Sequence, residues 1–285
     1  MPEHGHHGHA NISPEQQKAM MEQELRLFEH MGKVKYKIAV MSGKGGVGKS
    51  TVAANLAEAF QKKGMVTGIL DADIHGPNIP KMLGVEGEDI LIENKEMLPV
   101  MSKNGIKVMS MGFLIDSVDT PIIWRGPQKS GSIKQFMADT AWGDLDVLII
   151  DNPPGTGDEP LTVLQSLPNV DAVIMVTTPN TMSHEDVLKC VNMVKMLNID
   201  KIGLVENMSY FICPHCGEKT EIFGKSQGEE FSNKLGIKYL DSLPLSEENL
   251  KSTNEDSTIV NSYAQSDITQ KFMNIVEKID DEFLE

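Results

Sequence analysis

Two short stretches of this 285-residue chain hold side chains that do chemistry only in particular company. The first is GKGGVGKS, residues 43–50, which fits the phosphate-loop pattern G-x-x-x-x-G-K-[ST]. Glycines there let backbone N–H groups curl around phosphate oxygens with no Cβ in the way. A helix starting directly after the loop turns its positive end toward the anion. Gly43, Gly45, Gly46, Val47, Gly48, Lys49, Ser50 and Thr51 are thus the expected nucleotide cradle. Lys49 is expected to neutralise the β- and γ-phosphates and Ser50 to hold Mg²⁺ through its hydroxyl. The second stretch is FICPHCG, residues 211–217, with Cys213 and Cys216 across a tight turn. A zinc site or an iron–sulfur cluster takes about four protein ligands. The remaining cysteine, Cys190, falls on an expected helix as a small buried hydrophobe. The pair is therefore half a metal site, half a zinc knuckle, or a redox dithiol.

Carboxylates supply the next layer. Asp71 and Asp73 lie in LDADIHGPNIP, and Asp151 in VLIIDNPPGTGDE, both just past apolar runs. At strand ends such groups hold Mg²⁺ directly or through water, and orient an attacking water. As plain structure they would be caps or turn formers. Lys44 is a second cation inside the loop. It is either a solvated charge or a phosphate contact, in its own chain or across to a second subunit, where it would assist hydrolysis. Gly155 and Gly157 follow two prolines, a segment suited to sensing a γ-phosphate.

These groups need a scaffold. Apolar runs at 36–41, 66–70, 108–111, 146–150, 172–177, 202–206 and 238–240 predict strands. Helical spacing predicts helices over 14–31, 50–62, 133–140, 185–197 and 228–234, and a docked final helix toward residue 283 through Ile268, Phe272, Ile275, Val276 and Ile279. Ser13 is the expected cap of the first helix, with Pro14 at its first position. Met20, Met21, Leu25 and Phe28 are expected to pack one face of it. Strands alternating with helices make βαβ units. The reading is α/β: a single P-loop NTPase domain with a mostly parallel sheet flanked by helices. Its divisions are a flexible His-rich tail at 1–12, a helical segment at 13–33, and an ATPase domain at 34–285 with a CxxC metal-site insertion at 208–218. His4, His6, His7 and His9 give the tail either a metal-binding role or none.

The formal net charge of −15, with no basic stripe, argues against nucleic-acid or anionic-membrane binding. No apolar stretch approaches about 18 residues, and the first residues lack a signal peptide's apolar core. A cytoplasmic location is expected.

Taken with DADIHGPNIP, IIWRGP, WGDLDVLIIDNPPGTGDEPLTV, VENMSYFICPHCG and IFGKSQGEE, the loop with its early lysine resembles the MinD/ParA group of deviant P-loop ATPases. Within it the chain resembles the Mrp-type iron–sulfur cluster carriers over about residues 34–280. The resemblance implies an ATP-hydrolysing homodimer that carries a labile [4Fe–4S] cluster to apo-proteins, with cluster donors as further partners. It implies Lys44 crossing to the partner's nucleotide, Lys49 and Ser50 on phosphate and Mg²⁺, and Asp73 placing the hydrolytic water. It also implies Asp71 near the magnesium, Asp151 on a magnesium-bound water, and Asn207 on adenine. Cys213 and Cys216 would bridge the cluster with their copies, with zinc as the alternative occupant. Two other readings stand beside it: a nucleotide-gated positioning module like MinD and ParA, and a zinc-stabilised dimeric ATPase. The chain departs from the pattern at His75, where relatives often have tyrosine, and in its cysteine-free N-terminal tail.

Overall fold

The computed structural model describes residues 13–114 and 126–284. The His-rich tail and most of the IIWRGP stretch lie outside the described residues.

The long apolar runs become strands of one sheet. They are β1 (Val34–Ser42), β2 (Thr67–Asp71), β6 (Lys107–Ser110), β7 (Leu145–Asp151), β8 (Ala172–Thr177), β9 (Ile202–Glu206) and β12 (Lys238–Ser242). Short pieces complete the set: β3 (Leu91–Glu93), β4 (Glu96–Leu98), β5 (Val100–Met101), β10 (Phe211–Ile212) and β11 (Lys219–Thr220). The sheet order is β12-β9-β8-β1-β7-β2-β6-β5. All its pairings are parallel except β5 on β6. Residues of β2, β8 and β9 are buried throughout, as expected when helices cover both faces.

The helices are α1 (Pro14–Gly32), α2 (Lys49–Lys62), α3 (Ile79–Met82), α4 (Gly126–Asp139), α5 (Asp158–Ser166), α6 (Thr181–Met196), α7 (Gly228–Leu235), α8 (Glu247–Asn254), α9 (Ile259–Ser262) and α10 (Asp267–Ile279). They form two layers. One apolar cluster unites α2 and α10 with one sheet face, through Leu56, Phe60, Phe272 and Ile275. The other unites α4, α5 and α6 with the opposite face, through Phe136, Val163 and Val191. Ala53, Ala54, Ala57 and Ala59 are fully buried on α2, and their small side chains let this helix lie close to the strands. The five apolar residues expected to dock the final helix are all buried.

The first helix begins as its sequence dictates. Ser13 Oγ accepts from Gln16 N at 3.2 Å, and Gln16 Oε1 accepts from Ser13 N at 3.0 Å, a reciprocal cap with Pro14 at the first position. Its packing face is a correction. Met20, Met21, Leu25 and Phe28 are 52%, 74%, 59% and 65% exposed, whereas Leu27, His30 and Met31 are buried. Leu27 and Met31 join the apolar cluster that holds Phe136 of α4, and polar contacts flank them. Gln23 Nε2 donates to Gln135 at 2.8 Å, and Arg26 pairs with Asp139 at 3.1 Å. That contact turns the methionine-rich stripe outward.

Candidate functional site

β1 runs down the middle of the sheet, so the loop after it opens at the sheet's carboxyl edge between the ends of β7 and β8. That edge is where open α/β sheets take ligands. The loop's glycines have distinct tasks. Gly43 lies under α6: a Cβ there would come 2.5 Å from Asp186 Cβ and 2.6 Å from its carbonyl carbon. Gly46 and Gly48 hold φ of +80° and +84°, the left-handed region that other residues enter with strain. Gly48 then starts α2, so the helix's first N–H groups face the loop. Val47 is buried in the core and anchors the loop from below. A cavity of about 210 Å³ is lined by Gly45, Gly46, Gly48, Lys49, Ser50 and Thr51. Ser42, Asp73, Gly76, Asn78, Met82 and Pro154 complete its walls. Lys44 is half-buried and does not line it; its carbonyl accepts from Ser42 Oγ at 2.9 Å.

Strand register brings the acids together. Asp71 at the end of β2 stands opposite Asp151 at the end of β7, and Val40 of β1 stands opposite Asp151 on its other side. Lys49 Nζ donates to Asp151 Oδ1 at 2.5 Å and to Ser50 Oγ at 3.3 Å. Asp71 accepts from Asp73 N at 3.2 Å on one oxygen, and from Ser110 Oγ at 3.0 Å and Ile79 N at 3.3 Å on the other. Asp73 Oδ1 accepts from His75 N at 3.1 Å and Gly76 N at 3.3 Å. The His75 ring turns away from the loop toward Glu159, with Nε2 3.5 Å from its carboxylate.

Burial and the neighbouring Asp151 hold the Asp71 carboxyl well above the usual carboxylate range, against the pull of Lys49. Burial also raises Asp151, again opposed by Lys49. Two buried acids side by side with one lysine leave negative charge in excess. Asp151 Oδ2 is buried with no hydrogen-bond partner. This orphaned acceptor beside Ser50 fits a hard cation. Mg²⁺ characteristically takes one or two carboxylates plus phosphate oxygens and keeps several waters. A triphosphate in the cradle would compete with Asp151 for Lys49. The donor set thus fits Mg²⁺ and a phosphate chain together.

Several groups here escape sequence reasoning. Cys190 is a small buried residue as expected, but its thiol also lies 3.8 Å from Ser42 O and 3.5 Å from Gly155 O, bridging the loop's base and the segment after β7. Burial, then Asp186, pushes this thiol's pKa up to about 11. Gly155 N donates to Ser42 O at 2.8 Å, closing the same junction. Ser110 supports Asp71 from the next strand, with no local motif to betray it. Asn78 and Pro154 also line the cavity without having been singled out in the sequence.

Asn207 follows β9, and its Nδ2 donates to the Val47 carbonyl at 2.9 Å. The side chain is buried against Gly48, where any Cβ would overlap that amide nitrogen. The structure therefore sets Asn207 on the phosphate loop's backbone.

The chain then leaves the sheet in the hairpin β10–β11, whose turn carries the cysteines. Gly217 at φ +74° lets the turn close, its N–H donating to Cys213 O at 2.8 Å, while Cys213 N donates to Glu218 O at 3.0 Å. Backbone N–H groups of Cys216 and His215, then the Cys216 side chain, hold the Cys213 thiol below its ordinary pKa. A sulfur so supported favours the thiolate, the form that ligates metals. Cys213 is half-buried and Cys216 exposed, and neither is in a disulfide. His215 is exposed. Among the described residues no third His, Cys, Asp or Glu joins the pair as a metal cage.

Known proteins share this architecture. The model of the ParA family, described as NUBPL iron-transfer P-loop NTPase, matches residues 33–280. The iron–sulfur cluster carrier protein of Methanocaldococcus jannaschii is 52% identical over 235 residues, covering 82% of this chain and 81% of that one. A nucleotide-binding protein from Archaeoglobus fulgidus, solved with ADP, superimposes with a TM-score of 0.76 at 39% identity, covering 87% of this chain and 96% of that one. The cell-division ATPase MinD of Pyrococcus furiosus shares the fold at a TM-score of 0.66 and 21% identity, covering 87% and 99%. With its phosphate loop, its paired strand-end acids and a family match over nearly its whole length, the chain belongs to the NUBPL-type iron-transfer P-loop NTPases of the ParA family.

Proposed function

We propose that this protein is a cytoplasmic ATP-hydrolysing homodimer that holds a [4Fe–4S] cluster between two copies and passes it from cluster donors to apo-proteins. The observation that carries the reading is the cysteine turn: two accessible thiols, one already biased toward thiolate, with no further ligand beside them among the described residues. A second copy related by a two-fold axis supplies the other two. Ile212, Ile222 and Phe223, on and just beyond the hairpin, are 45%, 52% and 48% exposed, apolar surface that such a contact would cover. The carrier named in Methanocaldococcus jannaschii supports the same cargo.

In the ATPase domain at 34–285, the chain's own residues divide the work. Backbone N–H groups of the loop and the start of α2 bind the phosphates, with Thr51 beside Ser50 at the helix start. Lys49 leaves Asp151 to neutralise the γ-phosphoryl, and Asp73 positions the attacking water. Asn207 exchanges its bond to Val47 for one to adenine. Lys44, which reaches nothing in the cradle of its own chain, serves the partner's nucleotide. Ser50, Asp71 and Asp151 would hold Mg²⁺ directly or through water; when bound, it neutralises phosphate charge. Water adds to the γ-phosphorus as the bond to the bridging oxygen breaks, releasing ADP and phosphate.

Anaerobic purification followed by reconstitution with iron and sulfide tests the cargo. About four irons and four sulfides per dimer are expected from the ligand count, lost in Cys213→Ser and Cys216→Ser. Stoichiometric zinc with no iron uptake would establish the zinc-stabilised dimer instead. ATP-dependent dimers that take up neither metal would point to a positioning module.

A further inference from the structure

The segment that carries the cysteines leaves the sheet after Glu206 and comes back against the end of β9 at Gln227, before α7, and both of its feet meet one buried side chain. Glu206 is fully buried at the end of β9. Its carboxylate accepts from Ser209 Oγ at 2.8 Å at the outgoing foot. At the returning foot it accepts from Ser226 Oγ at 2.5 Å and Gln227 N at 3.2 Å. Gly228 makes room for this: a Cβ there would come 3.1 Å from Glu206 Cβ. Burying a carboxylate on neutral donors is costly unless the geometry is tightly defined. An apolar residue would fill the space at lower cost. The next residue, Asn207, has its amide on the phosphate loop through Val47 O, and its N–H donates to Thr177 O at 2.7 Å. One peptide unit therefore joins the nucleotide cradle to both feet of the hairpin.

We propose that Glu206 is a positioning residue that couples the nucleotide state of the cradle to the geometry of the Cys213–Cys216 turn. When a nucleotide displaces Asn207 from Val47, the end of β9 shifts, and Glu206 carries the shift into Ser209 and Ser226 together. A hairpin tied at only one foot would swing freely and register nothing. The inference rests on the assignment of nucleotide to the cradle and of cargo to the cysteines, but its test needs no cluster.

The experiment measures the rate at which an aromatic disulfide reagent reacts with the thiols of the metal-free full-length protein, with and without a non-hydrolysable ATP analogue and Mg²⁺. Cys190 is buried and contributes little, so the signal reports Cys213 and Cys216. In the native chain, nucleotide is expected to change the rate about fivefold or more, the low end of ordinary coupling. Glu206→Met keeps the length but removes the acceptors; there the ratio should collapse toward unity while analogue affinity holds. Glu206→Gln, whose amide can still bond both serines, should restore most of it. Simple loosening would instead raise both rates and leave their ratio intact, which overturns the proposal. So does a native protein whose rates ignore nucleotide. Should Glu206→Met fail to fold, Ser226→Ala frees one foot alone and must lower the ratio. Failure of the cargo reading would appear separately, as absent iron uptake with the thiol response intact.

Discussion

The phosphate loop and the cysteine hairpin both follow the carboxyl ends of parallel strands, β1 and β9, yet they are built on opposite plans. The loop is walled in. Lys49, Asp71 and Asp151 are buried, Gly43 is pinned beneath α6, and Lys49 already pairs with Asp151 within the chain. The hairpin stands out from the sheet on two-residue strands, with one thiol half-buried, the other exposed, and support for Cys213 coming from within the turn itself. A site that must bind a highly charged ligand and exclude water is best completed inside one fold, because preorganised dipoles act most strongly there. A site that must give up its cargo, as we propose for the hairpin, is better left open and shared, since separating two copies would open it.

This contrast can be broken most forcefully at Lys49. Lys49→Met should lower phosphate release by about 10²–10³-fold, the loss typical of removing one preorganised charge partner. Its counterpart, Cys213→Ser, should abolish iron binding while shifting unfolding free energy by no more than about 0.5 kcal/mol, as at other surface positions. A comparable melting loss in both would erase the distinction between a buried and an exposed site.

Backbone positions come next. Gly43→Ala forces α6 away and should destabilise the protein by about 1–3 kcal/mol in denaturant unfolding, the range for overpacked cores. Gly217→Ala strains a left-handed residue by about 1–2 kcal/mol. Because that turn is exposed and local, the strain should appear as weaker metal affinity, with the global transition nearly unmoved.

The pH response is gentler and belongs to the buried site alone. Asp71 and Asp151 have folded-state pKa values raised above the ordinary 3.8. The native state thus holds protons that the unfolded chain releases. Their contribution to stability is complete below 3.8 and is lost as pH rises through the raised folded values. Melting temperatures of the nucleotide-free protein should fall across that window, and saturating Mg²⁺ with ADP should flatten the fall. The smallest effect is expected at Lys44, where Lys44→Ala should leave unfolding within about 0.5 kcal/mol and yet remove ATP-dependent dimers in sedimentation.

The two regions also differed in how far their sequence disclosed them. The phosphate loop is legible because its chemistry is local: eight adjacent residues, a strand before and a helix after. The buried strands are legible as apolar runs, and 172–177 and 202–206 match the observed β8 and β9 residue for residue. The short β3, β4 and β5 carry no such periodicity, and no helix was expected where α8 and α9 lie. The helix α5 was hidden behind the Pro-Gly segment that precedes it. The face of α1 was misjudged: Leu27 and Met31 are the residues that join the cluster around Phe136, with Gln23 and Arg26 meeting Gln135 and Asp139 beside them. Glu206 and Cys190 were illegible in another sense. Their partners lie 20 and 148 positions away, at Ser226 and Ser42, and only the sheet's topology brings them together.

The central claim is that the hairpin is half a site, completed by its copy. Mixed dimers test it most directly: one tagged native chain paired with one Cys213→Ser/Cys216→Ser chain, isolated anaerobically and assayed for iron and sulfide after reconstitution. The account predicts that native dimers hold about four irons and that mixed dimers, with two thiolates, hold none stably. A mixed dimer retaining half the native iron would show that each chain binds metal alone and would contradict the shared site.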